Sequence, residues 1–125
     1  MTAITVRDGL PFISVVLIAN DQRLQIANVL LDTGAAASVF RTDDLLTMGV
    51  VPSSTDQIRF MSGIGGREAV FEKQIETLIV GTLAISPITI QLGVVDYGFD
   101  INGIIGMNFL FAAGAIIDLR NLTVT

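Results

Sequence analysis

The sequence contains no cysteine and no histidine, and each absence removes a class of chemistry. Without cysteine there is no disulfide bond and no thiol nucleophile. Without histidine, the usual zinc sites and histidine-based catalytic triads lose their ligands and bases. We therefore expect neither a metal ion nor a cofactor, and most hydrolytic mechanisms are excluded.

Charged residues are also scarce, at 15% of the chain, and the formal net charge is -5. No cluster of Lys or Arg is present, which argues against nucleic acid or an anionic membrane as a partner. Residues 1–8 lack a basic region followed by a long apolar run, so no signal peptide is predicted. The most apolar long stretch, residues 103–117, is shorter than the roughly 20 residues that span a bilayer. A cytoplasmic location is the resulting expectation.

Apolar side chains are abundant and make up 51% of the 125 residues. This length fits one compact domain, and we expect residues 1–125 to form a single domain. The apolar fraction exceeds what a small monomer easily buries, so self-association is predicted from composition alone.

β-Branched residues and closely spaced turn residues predict a mainly β protein with many short strands. Residues 12–19 and 24–31 are apolar runs on either side of Asn20-Asp21-Gln22, which indicates a hairpin of two buried strands. A second hairpin is predicted over residues 58–79. The other expected elements are a helix over 41–48 capped by Thr42 and ended by Gly49, a strand over 88–95, a helical turn over 108–112, and strands over 115–119 and 122–124 that close the sheet.

The tripeptide Asp32-Thr33-Gly34 follows the first hairpin directly. Two carboxylates held about 3 Å apart cannot both ionise and share one proton, an arrangement that is itself known from aspartic proteases. One carboxylate then takes a proton from water while the other polarises the scissile carbonyl. Thr33 would hydrogen-bond between two such loops, and Gly34 would bring its N–H close to the carboxylates. Asp-Thr-Gly is also an ordinary turn, so the tripeptide alone leaves both interpretations open.

The context of the tripeptide is more selective. The small residues Ala35-Ala36-Ala37 follow it, and a Gly-rich hairpin tip, residues 62–66, lies downstream. Residues 102–106 repeat its pattern weakly, as an apolar strand that enters a Gly-containing turn. Such an internal echo is typical of a pseudo-symmetric sheet.

Taken together, these segments resemble the retropepsin-like aspartic peptidases, the family of retroviral proteases and their single-domain cellular and bacterial relatives. Residues 30–35 are similar to the family's catalytic loop, residues 60–71 to its flap, and residues 104–110 to its hydrophobic-hydrophobic-Gly segment. The resemblance covers nearly the whole chain. It implies a mainly β, retropepsin-like acid protease half-barrel with one short C-terminal helix.

The resemblance also implies an aspartic endopeptidase that acts on peptide or protein substrates as a homodimer. No other aspartate precedes Thr-Gly or Ser-Gly, so a symmetric partner is expected to supply the second carboxylate. The expected catalytic residues are Asp32, Thr33 and Gly34. Substrate-binding residues are expected beside this loop and in the flap, namely Ala35, Ala36, Ser62, Gly63, Ile64, Gly65, Gly66 and Ile104.

Two positions depart from the retroviral pattern, which usually has an acidic residue in place of Ala36 and an Arg in place of Met107. We expect an apolar contact between these two residues where retroviral enzymes have a salt bridge. Asn108 stands where relatives often have Asp, and the sequence assigns it no role.

Other interpretations remain open from sequence alone. A dimeric peptide-binding or scaffold domain could keep the same fold without turnover, and an all-β structural domain could use Asp-Thr-Gly merely as a turn. The glycines of residues 63–66 could simply form a tight hairpin. Asp43-Asp44 is expected to be the solvated first turn of a helix rather than part of a metal site.

Overall fold

The structure, a computed structural model, describes residues 1–63, 66–95 and 100–125. Within these ranges strands dominate and two short helices lie between them. From the N-terminus the elements are β1 (Thr2–Ala3), β2 (Thr5–Arg7), β3 (Leu10–Ala19), β4 (Gln22–Leu31), β5 (Val39–Arg41), α1 (Thr42–Leu46), β6 (Ile58–Gly63), β7 (Gly66–Ile75), β8 (Thr77–Val80), β9 (Leu83–Ile85), β10 (Ile88–Gly93), β11 (Gly103–Ile105), α2 (Met107–Ala113), β12 (Ile117–Asp118) and β13 (Thr123–Val124).

The strands of the described residues form two sheets. The larger sheet has the order β6-β7-β10-β5-β11-β4-β3-β8-β9, and β2 pairs with β3. The smaller sheet has the order β1-β13-β12. The two C-terminal strands were expected to close the main sheet, and that prediction is wrong: β13 pairs instead with β1, with Thr2 opposite Val124. Alternation of apolar residues predicts a strand but does not specify its partner.

The first hairpin, β3–β4, forms at the predicted place, but buried residues alternate with more exposed ones along β4, so the strand is not buried throughout as expected. Its turn residues Asn20 and Asp21 both have positive φ, at 51° and 59°. Two consecutive positive φ values are the geometry of a type I′ turn, whose twist matches that of the flanking strands. A β-bulge interrupts the pairing between Ile13 and Val15. Near it, Ile26 and Val29 both face the main core although they are three residues apart, because the bulge adds one residue to β4.

Two parallel strand pairs determine where the loops of the larger sheet meet. Strand β11 runs parallel to β4, with Ile105 opposite Leu31, and β10 runs parallel to β5. The carboxyl ends of β4 and β11 therefore lie side by side. Asp32 and Gly106, which follow these two ends, are brought together. The internal echo of the sequence corresponds to this pair of adjacent strands.

Buried apolar side chains form two clusters. The main core joins strands of the larger sheet to both helices, and Phe40, Leu45 and Phe109 are among its fully buried members. The second cluster consists of Phe12, Val39, Val95, Ile101 and Ile104. Leu30 and Ala35 pack against the second cluster, so it reaches the loop that follows β4.

Helix α1 begins at Thr42, one residue earlier than it would if Thr42 were its N-cap residue. Arg41 is the N-cap residue and no side chain caps the helix, so the prediction of Thr42 as the cap is wrong. Arg41 instead binds the carboxylate of Asp44, which lies in the first helical turn. Acidic residues there compensate the partial positive charge of the free N–H groups. The helix is also shorter than the predicted 41–48, because it ends at Leu46 with Thr47 as its C-cap, and Gly49 follows two residues later with a φ of 74°.

Helix α2 is longer than the predicted turn over residues 108–112, since it spans Met107–Ala113. It ends at Gly114, whose left-handed φ of 59° terminates the helix. Among the described residues, neither helix has the length and apolar character needed to cross a membrane.

Candidate active site

Asp32 lies at the end of β4, beside the end of β11. Its backbone N–H donates a hydrogen bond to the carbonyl oxygen of Ile105, with 3.0 Å between nitrogen and oxygen. This bond extends the parallel ladder beyond the pair formed by Leu31 and Ile105. The Asp32 side chain is partly buried. The buried strand β11 and the buried end of β4 at Leu31 thus fix the point at which the carboxylate leaves the backbone.

The residues after Asp32 fold back onto its carboxylate. The Gly34 N–H donates to Asp32 Oδ1 at 2.9 Å, and the Ala35 N–H donates to the Asp32 carbonyl oxygen at 3.3 Å. A Cβ at position 34 would lie 3.2 Å from the same carboxylate oxygen, closer than ordinary contact. Glycine therefore permits this approach, and the hydrogen bond predicted from Gly34 is present.

Thr33 is exposed at the surface of the loop. Its hydroxyl forms no hydrogen bond with any side chain or backbone group of the described residues. The predicted role of Thr33, a hydrogen bond to a second copy of the same loop, stays a prediction.

The turn between β11 and α2 is hydrogen-bonded to the Asp32 loop. The Met107 N–H donates to the Ala35 carbonyl oxygen at 2.7 Å, and the Asn108 N–H donates to the Ala36 carbonyl oxygen at 3.1 Å. These N–H groups belong to the first turn of α2, which has no side-chain cap. Carbonyl groups of the Asp32 loop therefore satisfy donors that a helix N-terminus leaves free.

Gly106 makes this close approach possible. A Cβ at position 106 would lie 2.2 Å from the Ala37 carbonyl oxygen and 2.8 Å from the Ala35 carbonyl oxygen. Both obstacles are backbone atoms, which cannot rotate away as the end of a side chain can. Glycine is required here for space rather than for an unusual φ, which is -108°.

Two polar residues of this region have contacts that sequence reasoning missed. Ser38 is fully buried, its Oγ donates to Asn108 Oδ1 at 2.8 Å, and it accepts from the Gly106 N–H at 3.0 Å. The sequence signal was a hydroxyl residue directly before the buried strand β5, after three alanines. A buried polar side chain requires partners, and the partner lies 70 residues away along the chain.

The predicted substrate-binding residues fall into four groups. Ala35 and Ala36 lie in the Asp32 loop, half-buried and exposed respectively, whereas Ile104 is buried in the second cluster. Ile64 and Gly65 lie outside the described residues. The backbones of Ser62, Gly63 and Gly66 lie at the ends of β6 and β7, where Gly63 is opposite Gly66.

The backbone segments that contain Ala36 and Met107 are joined by the hydrogen bonds from Met107 to Ala35 and from Asn108 to Ala36. Met107 packs partly buried against the main core, and Ala36 is exposed. The apolar contact expected between them stays a prediction.

An ion pair fixes the base of the β6–β7 hairpin. Lys73 Nζ lies 2.8 Å from Asp56 Oδ1, and the Ser53 N–H donates to Asp56 Oδ2 at 2.6 Å. The hydrogen bond from Lys73, followed by that from Ser53, holds the pKa of Asp56 below its ordinary value. The segment that leads into β6 is thereby attached to β7.

The two adjacent aspartates of α1 have a structural explanation. Arg41 Nε lies 3.0 Å from Asp44 Oδ2, and this hydrogen bond raises the pKa of the guanidinium. In the described ranges, no three acidic side chains lie close enough together to hold a metal ion. Asp43 is exposed in the first helical turn, as the sequence predicted.

Comparison with known proteins agrees with this geometry. A family model described as aspartyl protease matches residues 15–109. Among solved structures, a retropepsin-like aspartic protease from Rickettsia conorii is similar with a TM-score of 0.68 and 19% sequence identity, over 100% of this chain and 97% of that chain. No curated protein matches the chain by sequence.

The match to the family model covers well over half of the chain, and the chain belongs to the aspartyl protease family. The structural likeness adds the fold, which is the retropepsin-like half-barrel: a mainly β, curled sheet with one short C-terminal helix, α2. The predicted resemblance and the predicted fold class are both confirmed.

Proposed function

We propose that this chain is an aspartic endopeptidase that hydrolyses peptide bonds between two Asp32 carboxylates of a symmetric homodimer. The observation that carries this proposal is the position of Asp32. Its backbone is fixed by Ile105, and its carboxylate accepts a hydrogen bond from the Gly34 N–H at 2.9 Å. A carboxylate held in this way has a defined direction, which positioned acid–base catalysis requires.

The reaction needs one carboxylate to remove a proton from water and a second, protonated carboxyl to polarise the scissile carbonyl. Two carboxylates about 3 Å apart share one proton, so both forms coexist at the same site. The water oxygen attacks the carbonyl carbon, and the shared proton passes to the carbonyl oxygen. Return of a proton to the amide nitrogen allows the C–N bond to break.

The second carboxylate is proposed to come from a second copy of the chain. Four other aspartates already have partners within the chain, which makes an intrachain second carboxylate a poor alternative. Those partners are Arg41 for Asp44, Lys73 for Asp56, Arg7 for Asp100 and Asn121 for Asp118. A two-fold axis beside Asp32 supplies an identical carboxylate with identical support.

Exposed apolar residues near the C-terminus support a dimer. Phe111, Ile116 and Leu119 expose 77%, 65% and 67% of their surfaces, and they follow one another from the end of α2 into the β12–β13 hairpin. Large exposed apolar side chains close in sequence are typical of protein interfaces. We therefore assign the small sheet β1-β13-β12 and its surroundings to the dimer interface.

The proposed substrate is an extended polypeptide that pairs with strand backbone and inserts side chains into apolar pockets. Ala35, Ala36 and Ile104 would line these pockets. The β6–β7 hairpin would act as the flap, with Ser62, Gly63, Ile64, Gly65 and Gly66 covering the peptide. Its attachment through Lys73 and Asp56 gives such a flap a fixed base.

The test is digestion of a peptide library by the wild-type chain and by Asp32→Asn, with products identified by mass spectrometry. We expect cleavage by the wild type and none by the variant, although both should unfold at similar temperatures. If the two proteins cleave equally, Asp32 is not catalytic. If neither cleaves but both retain library peptides, the chain is a peptide-binding or scaffold domain instead.

A further inference from the structure

Ser38 is the one polar or charged side chain that the described residues bury fully, with 0% of its surface exposed. Its hydroxyl forms two hydrogen bonds. It accepts from the Gly106 N–H at 3.0 Å and donates to Asn108 Oδ1 at 2.8 Å. A single hydroxyl therefore joins the end of the Asp32 loop to both the turn before α2 and the first turn of that helix.

Asn108 extends this connection to a third element. Its Nδ2 donates to the carbonyl oxygen of Thr89 in β10 at 3.0 Å. The Gln91 N–H, also in β10, donates to the Ser38 carbonyl oxygen at 2.9 Å. Ser38, Asn108 and β10 thus form a closed ring of hydrogen bonds.

The ring requires an amide rather than a carboxylate at position 108. The Thr89 carbonyl can only accept, so the group facing it has to donate, while the Asn108 oxygen accepts from Ser38. An ionised aspartate could accept from Ser38 but could not donate to Thr89. Asparagine satisfies both partners at once.

The ring acts on the Asp32 loop through the backbone of α2. The N–H groups of Met107 and Asn108 donate to the carbonyl oxygens of Ala35 and Ala36 at 2.7 and 3.1 Å. Any shift of the first turn of α2 therefore moves residues that begin three positions after Asp32. The loop is held from one side by β11 and from the other by α2.

We infer that Ser38 and Asn108 are positioning residues for catalysis, which set the location of the Asp32 carboxylate relative to its copy without contacting substrate. The inference rests on the proposed function, because it assigns these residues a task within that site. Displacement of a catalytic group by about 1 Å from its productive position can lower the reaction rate on the order of a hundredfold. A hydrogen-bonded ring behind the loop is suited to prevent such displacement.

The experiment compares Ser38→Ala, Asn108→Ala and the double variant in steady-state kinetics and in thermal unfolding. Each single variant is expected to lower kcat by about tenfold or more while KM changes by less than about threefold, since no substrate contact is lost. The kcat of the double variant should be little lower than that of either single variant, because both substitutions break the same hydrogen-bonded ring. Asn108→Asp keeps the acceptor for Ser38 but loses the donor to Thr89, so its kcat should also fall below that of the wild type.

Val80→Ala serves as the matched control for stability. Val80 is fully buried in β8, three strands away from β11 in the sheet order. Its truncation should lower the unfolding temperature at least as much as Ser38→Ala does, and kcat should stay within about twofold of the wild type. Loss of kcat in proportion to stability in all variants, the control included, would overturn the inference.

Hydrogen exchange separates this inference from the proposed function. The amides of Met107 and Asn108 should exchange about tenfold faster or more in Ser38→Ala than in the wild type, whereas the Leu78 amide in β8 should not change. This readout needs no peptidase activity. Absence of any cleavage by the wild type would reject the proposed function alone, while unchanged exchange at both amides would reject the positioning role.

Discussion

The backbone N–H of Asp32 and the carbonyl oxygen of Ile105 are hydrogen-bonded at 3.0 Å. This bond connects the two strand ends that carry the internal echo of the sequence. It lies at the edge of the parallel ladder in which Leu31 is opposite Ile105. The candidate catalytic loop and the turn before α2 are therefore neighbours within one protomer, and their separation governs the geometry of the carboxylate.

Gly106→Ala should disrupt this geometry. The added Cβ would lie 2.2 Å from the Ala37 carbonyl oxygen, a distance that requires backbone movement. We expect a loss of at least about 3 kcal/mol in the free energy of unfolding, which places this variant among strongly destabilising substitutions. Chemical denaturation followed by circular dichroism measures the effect.

Gly9→Ala is the control for that variant. Gly9 has a φ of 77° and no atom within 4 Å of a built Cβ, so the substitution adds conformational strain without a clash. A cost of about 1–2 kcal/mol is expected. If Gly106→Ala costs no more than Gly9→Ala, close backbone contact at position 106 is not what this site requires.

Much of the fold could be predicted from the sequence because hydrophobic patterns report burial. The β3–β4 hairpin, its Asn20-Asp21 turn and the strand that delivers Asp32 all follow from apolar runs beside turn residues. The pairing partners of the strands were harder to predict from the sequence. The β12–β13 hairpin pairs with β1 rather than with the main sheet, and pairing over more than a hundred residues depends on the whole chain.

The candidate site was predictable where chemistry depends on adjacent residues, as in Asp32-Thr33-Gly34. It was not predictable where two distant residues share one hydrogen bond. Asn108 has no local signal, because its role depends on the buried hydroxyl of Ser38 and the carbonyl of Thr89. The cap of α1 was misassigned to Thr42 for a different, local reason: the helix begins at Thr42 without a side-chain cap, and Arg41 before it binds Asp44.

Leu119→Lys and Ile116→Lys should convert the protein to monomers. Each places a charge on an exposed apolar side chain of the proposed interface. Burying an unpaired ammonium is costly, so the free energy of dimerisation should weaken by at least about 2 kcal/mol, the size of a hot-spot effect. Sedimentation velocity at several concentrations measures it, and peptidase activity should fall in parallel.

Val51→Lys is the matched control, since Val51 exposes 47% of its surface in the segment after α1. It should leave both the sedimentation coefficient and the cleavage rate unchanged. A monomer–dimer equilibrium that responds equally to all three variants would argue against an interface at the C-terminal hairpin.

Stability at acid pH should depend on Asp56. The hydrogen bond from Lys73 lowers the pKa of Asp56 in the folded protein. The contribution of Asp56 to the free energy of unfolding is therefore fully present above the ordinary aspartate pKa of 3.8, and it is lost as the pH falls through the lower pKa of the folded state. The stability difference between the wild type and Asp56→Asn should therefore be largest near neutral pH and should shrink below pH 3.8. Urea unfolding at a series of pH values measures this difference.

Lys73→Met should reproduce the same pH dependence, because removal of either partner breaks the same ion pair. Some acid sensitivity should persist in both variants, since hydrogen bonds from Asn121 also lower the pKa of Asp118. A difference between the wild type and Asp56→Asn that stays constant from pH 7 to pH 2, about two units below the ordinary aspartate value, would show that the pair is not linked to folding.

The most direct test of the central claim, that each chain gives one Asp32 to a shared site, is a mixing experiment. Wild-type chain at fixed concentration, well above the dimer dissociation constant, is equilibrated with an equal amount of Asp32→Asn, and the rate of peptide cleavage is measured. Random exchange into mixed dimers with one intact carboxylate should lower the rate to about half. A rate that stays at the wild-type value or rises above it would mean that one Asp32 suffices, and would contradict the account.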